Sequence, residues 1–323
     1  MNIVLCYQTV PAHVEQIRAA AGNDFNVIDA GQEGIAAALP TADIYCGHAK
    51  VPVPWAETVD AGRLKWIQSS AAGMDHCLVP EVIASDIPVT SASGLFANQV
   101  AEQTMALLLG VVRSLPTFFR AQVKKEYIRR PTGDLHGKTV GIVGLGGNGR
   151  RLAEILAPFQ VRILATDLCP YDKPDCVEQL WPADRLNDLL AESDVVILAL
   201  PLNADTRYLF DTDQFAAMKT GAIFINVARG QVVRESALIH ALETNHLSAA
   251  GVDVAELEPL PPESPLWDFE NVIITPHVGA QGRTRNDDVT DLFCENLRRF
   301  RAGEPLINVV DKRLGFPLRP APQ

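Results

Sequence analysis

The sequence predicts an α/β protein built from two doubly wound parallel-sheet domains. Three observations lead there. Short β-branched runs alternate with helical patterns throughout the 323 residues, as expected of parallel strands joined by crossover helices. These runs fall into two groups, separated by a long apolar helical stretch. The length also exceeds what one compact core usually holds, since domains typically run to about 100–200 residues.

Taken in order, the first group places strands near 2–6, 42–46, 64–68 and 88–90 and ends near Ser91-Ala92-Ser93-Gly94. A long apolar helix from about Asn98 to Gln122 should bridge the domains, kinked at Pro116 because proline lacks the N–H that a helix interior needs. The second group opens at Lys138-Thr139-Val140-Gly141-Ile142-Val143 and continues near 161–166, 194–199, 222–227, 248–253 and 271–275. Asp287 to Arg301 has helical periodicity. It leads into the extended segment Pro305 to Val310, which should return to the first domain. The expected division is 1–97 plus 288–323 for one domain and 98–287 for the other.

Composition narrows the function classes. Hydrophobic residues make up 47% and charged ones 21%, an ordinary folded composition. With 28 basic and 39 acidic residues the net charge is −11, which repels phosphate backbones and anionic lipid, so neither nucleic acid nor membrane is expected as a partner. Any anionic substrate must then rely on a local cluster of donors. Six cysteines occur without a C-x-x-C pair, so no metal site and no disulfide framework are expected, and a reducing, cytoplasmic location fits. The start Met1-Asn2-Ile3-Val4-Leu5 reads as a strand and not as a signal peptide, and the apolar run Met105 to Val112 is too short to span a bilayer.

Gly144-Leu145-Gly146-Gly147-Asn148-Gly149 is a G-x-G-x-x-G. Alone the spacing is weak evidence, but a strand feeds directly into it, and Asn148 to Phe159 continues with helical spacing through Leu152, Ile155 and Leu156. In that setting the first glycine permits the tight turn, the second lets a pyrophosphate approach the backbone, and the third packs helix on strand. Free N–H groups at the helix start hold the anion. The following strand ends at Asp167, eighteen residues past Gly149, where a carboxylate can accept the adenosine ribose hydroxyls and would repel a 2′-phosphate. A Rossmann-type domain binding NAD, with NADP disfavoured by Asp167, is the expectation.

Ligands of open parallel sheets bind beyond the carboxyl ends of the strands, and three charged or titratable residues stand just past consecutive predicted strands. Arg229 follows Ile223 to Val227, Glu258 follows Ala250 to Asp253, and His277 follows Val272 to Thr275. A guanidinium can grip a carboxylate bidentately, while an imidazole can give or take a hydroxyl proton. An acid beside the imidazole favours its protonated, proton-donating form. Each residue also has a plain structural reading, as a surface turn, a solvated loop acid and a side chain tying down the Thr275-Pro276 corner.

Taken together, these motifs resemble the D-isomer-specific 2-hydroxyacid dehydrogenase family. The resemblance rests on Val100-Ala101-Glu102, the 144–149 turn with Asp167, Leu200-Pro201-Leu202, Asn226-Val227-Ala228-Arg229-Gly230, Gly251-Val252-Asp253-Val254, Glu258-Pro259 and Asn271 to Gly279. It implies a Rossmann-type NAD domain inserted into a flavodoxin-like substrate domain, and an NAD-dependent enzyme moving hydride between nicotinamide and C2 of a small 2-oxo or 2-hydroxy carboxylate of D configuration. By the same resemblance Arg229 holds the substrate carboxylate, His277 is the acid/base and Glu258 its partner. Backbone amides at Ala72 and Gly73, in Ser70-Ala71-Ala72-Gly73-Met74-Asp75, take the other carboxylate oxygen. Gly144, Gly146, Gly147, Asn148, Gly149, Asp167, Leu200, Pro201, Val227, Ala228, Asp253 and His277 line the cofactor, and a homodimer forms through the helix around 98–122. Phosphite dehydrogenase-like activity would use the same three residues, and a non-catalytic NAD(H)-sensing regulator is the alternative of a different class. The sequence departs from the usual family pattern at Gly147-Asn148, at Gln103, where a histidine is frequent, and at Ala255, where an aromatic is typical.

Overall fold

The computed structural model describes residues 1–318; residues 319–323, expected in the first domain, lie outside the described residues. Among the described residues the chain forms two compact units, one of Met1–Phe96 with residues 282–318, the other of Ala97–Gln281.

Unit 1 runs β1 (Asn2–Cys6), α1 (Pro11–Ala21), β2 (Asn26–Asp29), α2 (Gly31–Ala38), β3 (Ile44–Gly47), α3 (Trp55–Asp60), β4 (Trp66–Ser69), α4 (Pro80–Ala84) and β5 (Val89–Thr90). Its sheet has the order β2-β1-β3-β4-β5 and every pairing is parallel. Unit 2 runs α5 (Ala97–Val112), α6 (Leu115–Val123), β6 (Thr139–Val143), α7 (Gly147–Leu156), β7 (Arg162–Asp167), β8 (Gln179–Pro182), α8 (Leu186–Glu192), β9 (Val195–Leu198), α9 (Thr212–Ala217), β10 (Ala222–Asn226), α10 (Glu235–Glu243), β11 (Leu247–Val252) and β12 (Val272–Ile274). Its seven parallel strands take the order β12-β11-β10-β9-β6-β7-β8. A last helix, α11 (Arg285–Ala302), belongs to unit 1.

The apolar runs of unit 2 are continuous because both sheet faces are covered. Along β9, Val195 and Ile197 join the core under α5 and α7, while Val196 and Leu198 join the opposite core with Phe210, Phe215 and Leu238. In unit 1, Val4, Tyr45 and Ile67 pack with Ile35, Leu39 and Trp55. Helix α11 is tied to unit 1 by the Tyr7 hydroxyl to the Thr290 hydroxyl at 2.8 Å and by His13 Nε2 to Asp287 at 2.6 Å. The Val310 N–H donates to the Val89 carbonyl at 2.8 Å, which returns the C-terminal segment to this unit.

Three details differ from the sequence expectations. β2 and β8 were missed; each is a four-residue edge strand with at most one buried residue, so neither shows the apolar pattern that marks a strand. The bridging helix does not kink at Pro116 but breaks two residues earlier. Ser114 takes a left-handed conformation (φ 55°), and Pro116 sits in the first turn of α6, where no amide donor is needed. Pro305 to Val310 contributes a single antiparallel bridge, Thr90 to Val309, in place of an extended strand. No helix among the described residues is long and apolar enough to cross a membrane.

Candidate active site

The strand order of unit 2 reverses between β6 and β9, and ligands of doubly wound sheets bind at such a switch point. The glycine turn leaves β6 there. Gly144 has φ 97°, and a Cβ on it would lie 2.9 Å from the Ala199 carbonyl; a Cβ on Gly149 would lie 2.1 Å from the Gly144 carbonyl. Both positions therefore exclude a side chain, the first for its left-handed turn and the second for the close packing of α7. Gly146, which caps α7, is different: its added Cβ would meet nothing within 4 Å. Gly146 thus leaves open space beside the start of a ten-residue helix, which suits a dinucleotide pyrophosphate. Gly147 and Asn148 form the first turn of α7.

Asp167 ends β7, and its carboxylate accepts the Leu145 N–H at 2.7 Å and the Cys169 N–H at 2.8 Å. The acid is thereby fastened across the glycine turn. Arg150, the nearby cation, is engaged by the Leu145 carbonyl at 3.2 Å and by the Asp172 side chain at 2.7 Å. Leu200 and Pro201 follow β9, and Val227 and Ala228 follow β10.

At the other end of the sheet β10, β11 and β12 are neighbours, so the residues after them share one rim. His277 Nδ1 and Glu258 Oε2 are 2.8 Å apart. The second carboxylate oxygen, Oε1, accepts the Ala255 N–H at 3.2 Å. Arg229 acts on the same carboxylate through its charge, and one of its terminal nitrogens donates to the Ala228 carbonyl at 2.8 Å. Burial pushes the Glu258 carboxyl up, but the His277 hydrogen bond and charge, the Ala255 amide and the Arg229 charge together outweigh burial and lower its pKa.

Two local devices bring these groups together. A Cβ on Gly230 would fall 1.7 Å from the Ala255 carbonyl oxygen, so glycine lets the loop after β10 lie directly against the loop after β11. Asn226 shapes the first of these loops, accepting the Ala228 N–H at 3.0 Å and donating to the Arg229 carbonyl at 3.2 Å. The second device centres on Asp253, which is 2% exposed. Its carboxylate accepts the Thr275 hydroxyl at 2.6 Å, the Val278 N–H at 3.0 Å and the Gly279 N–H at 2.7 Å, while its own carbonyl takes the His277 N–H at 2.7 Å. Gln103 donates to the Thr275 hydroxyl at 2.9 Å.

His277 has φ 55°, a conformation uncommon outside glycine, and this ring of bonds holds it. Asp253, expected as a cofactor contact, shapes the His277 turn. Its position after β11 was legible in the sequence, but its partners were not. The structural contribution of Gln103, noticed before only as a departure from the family pattern, was missed in the same way.

In unit 1 the expected substrate loop follows β4. The Ser70 N–H donates to the Gly47 carbonyl at 3.1 Å, the Ala71 N–H to Ser69 Oγ at 3.0 Å, and the Ala71 carbonyl accepts the Ala92 N–H at 3.0 Å. Ala72 and Gly73 are partly exposed, and their N–H groups donate to no group among the described residues.

The switch-point glycine turn at the start of a helix, with Asp167 ending the next strand, defines the class, a dinucleotide-binding α/β protein. Sequence similarity narrows it. The profile described as "D-isomer specific 2-hydroxyacid dehydrogenase, NAD binding domain" matches residues 105–279. A glyoxylate reductase of Thermofilum pendens is 35% identical over 270 residues, covering 80% of this chain and 78% of that protein. A D-3-phosphoglycerate dehydrogenase of Mycobacterium tuberculosis is 33% identical over 277 residues, 84% of this chain but 52% of that one. Among solved structures, a D-isomer-specific 2-hydroxyacid dehydrogenase from Xanthobacter autotrophicus Py2 in complex with NADPH and MES aligns with TM-score 0.82 and 31% identity, covering 98% of this chain and 99% of that one. The chain belongs to the D-isomer-specific 2-hydroxyacid dehydrogenase family and is an oxidoreductase with an NAD(P)-binding domain.

Proposed function

We propose that the protein reduces the 2-oxo group of a small carboxylate to the D-2-hydroxy acid with NADH, and runs the reverse reaction with NAD. The observation that carries this reading is the 2.8 Å pair of His277 Nδ1 and Glu258 Oε2 on the same rim as Arg229. With Nδ1 committed to the carboxylate, Nε2 is the ring nitrogen left to donate a proton to the ketone oxygen. Glu258 stabilises the imidazolium before transfer, and its lowered pKa keeps it anionic for that task. Arg229 grips the substrate carboxylate; within unit 1, the Ala72 and Gly73 amides are proposed as donors to a carboxylate. When bound, NADH would supply the hydride for C2, and His277 holds the proton for the carbonyl oxygen, so the 2-oxo group would become a hydroxyl.

NAD is the preferred cofactor in this reading. Asp167 puts a negative charge at the end of β7, and the nearby Arg150 is already paired with Asp172, which leaves little to compensate a 2′-phosphate. The protein is also proposed to work as a cytoplasmic homodimer through the helical stretch around 98–122, α5 and α6, with the apolar surface continuing past its end. There Phe119, Val123 and Tyr127 are 58%, 84% and 93% exposed, an apolar surface of the kind that marks an interface.

The test is NADH and NADPH oxidation with glyoxylate, hydroxypyruvate, pyruvate and phosphohydroxypyruvate, with phosphite plus NAD as a further arm. The expected result is turnover of at least one 2-oxo acid, with NADH preferred over NADPH by about tenfold or more, about 1.4 kcal/mol. In His277→Asn turnover should fall by about 10²–10⁴-fold while NADH still binds, the range for losing a general acid. Turnover of phosphite alone, or undiminished turnover in His277→Asn, would overturn the reading.

A further inference from the structure

Helix α11 opens on a cation that has no anion paired with it among the described residues. Arg285 stacks its guanidinium over the Phe96 ring at 4.7 Å, and one terminal nitrogen donates to the Ser70 carbonyl at 3.1 Å. Its Nε is shut off from solvent without a hydrogen-bond partner, and among the described residues no carboxylate pairs with it. Other arginines of this acidic chain behave differently: Arg150, Arg162, Arg234 and Arg299 each hold a carboxylate. Burial alone pulls the Arg285 pKa below the usual arginine value, yet a guanidinium stays charged in a protein. Taking a charge out of water without a counter-ion is costly. Packing does not call for it, since an apolar side chain could lie on Phe96 at less cost.

What Arg285 touches suggests its use. Ser70 opens the loop whose next residues are pinned by Ser69 Oγ and Ala92, and whose Ala72 and Gly73 amides donate to nothing among the described residues. We infer that Arg285 is a positioning residue for substrate binding: through the Ser70 carbonyl it fixes the Ser70–Gly73 loop, and it brings there the positive charge that draws a carboxylate to the Ala72 and Gly73 amides. The inference rests on the reading of the protein as a 2-oxo acid reductase. It gives unit 1 a cation of its own for an anionic ligand, in a molecule whose net charge of −11 would otherwise discourage one. Phe96 is its platform, holding the planar guanidinium so that the donor to Ser70 keeps its direction.

The experiment is steady-state kinetics of Arg285→Gln and Arg285→Lys with the best 2-oxo acid, together with NADH affinity by fluorescence and the thermal midpoint. Arg285→Gln should raise KM for the 2-oxo acid about tenfold or more, equivalent to about 1.4 kcal/mol, with kcat within about threefold and NADH affinity unchanged. Arg285→Lys, which keeps the charge but not the planar stack, should fall between wild type and Arg285→Gln. A folded Arg285→Gln with unchanged KM, or one that loses kcat alone, overturns the inference and leaves Arg285 a structural residue. Should Arg285→Gln fail to fold, Phe96→Leu keeps the arginine while removing its platform, and the same rise in KM is expected; an unchanged KM overturns the inference. Should the wild-type chain reduce no 2-oxo acid, it is the functional reading that fails. Calorimetric binding of oxalate to the NADH-loaded protein then decides the matter for Arg285: weaker binding by Arg285→Gln supports the inference, and equal or absent binding in both overturns it.

Discussion

Glu258 feels two opposed influences. Burial favours its neutral form, while the His277 bond and charge, the Ala255 amide and the Arg229 charge favour the anion and win, so its pKa lies below the ordinary 4.5. The sign of the consequence follows from linkage. A carboxyl whose pKa is lower in the folded than in the unfolded chain contributes fully above the ordinary value, and that contribution is lost as the pH falls through the lowered one. The Glu258–His277 pair should therefore survive to below pH 4.5. Initial rates of 2-oxo acid reduction, measured after brief jumps from neutral pH, should show an acid limb below that value. Glu258→Gln should abolish this limb and lower kcat/KM by about 10²-fold, as expected when general acid catalysis loses support. An acid limb that persists unchanged in Glu258→Gln belongs to another group.

At the scale of elements, the site depends on how closely three loops approach. The loop after β10 lies against the loop after β11 because Gly230 has no side chain to strike the Ala255 carbonyl. Gly230→Ala would have to move one loop away from the other, separating Arg229 from Glu258. Its kcat/KM should fall about 10²-fold, the scale of a misplacement of about 1 Å. The cost of overpacking should be about 1–3 kcal/mol in denaturant unfolding. Wild-type kinetics in Gly230→Ala would mean that the approach of the loops does not matter for the site. The turn after β12 is held by the Asp253 carboxylate. Ten of the twelve strands, the glycine turn and the order Arg229, Glu258, His277 could be read from apolar runs and the residues that end them. The bonds that shape the turns could not, because they join residues such as Gln103 and Thr275 that are 172 positions apart. The edge strands β2 and β8 escaped notice because strands with little buried surface carry no periodic signal.

For the whole molecule, the exposed apolar residues after Ser114 bear on its assembly. Val123 and Tyr127 are 84% and 93% exposed, and large apolar side chains left in water favour association. The wild-type protein should sediment at twice the monomer mass. The double variant Val123→Glu, Tyr127→Glu should sediment as a monomer with its thermal unfolding little changed, because neither side chain contributes to the core of its own chain. Dimers that persist in the double variant would place the interface elsewhere. The charge of −11 acts at this scale as well. It disfavours anions over the surface generally, so selectivity for a carboxylate has to come from a few local donors with short reach.

By itself the sequence determined the layer architecture, the dinucleotide turn and which strand ends carry charged and titratable groups. Those features follow from local periodicity and from residues that punctuate it, and both are written along the chain. Tertiary structure alone decided that His277 meets Glu258 at 2.8 Å, that Asp253 faces inward to hold the His277 turn, and that Arg285 lies on Phe96 beneath Ser70. Each of these joins residues distant in the chain, and which pairs meet is set by strand order and packing, which local pattern does not encode.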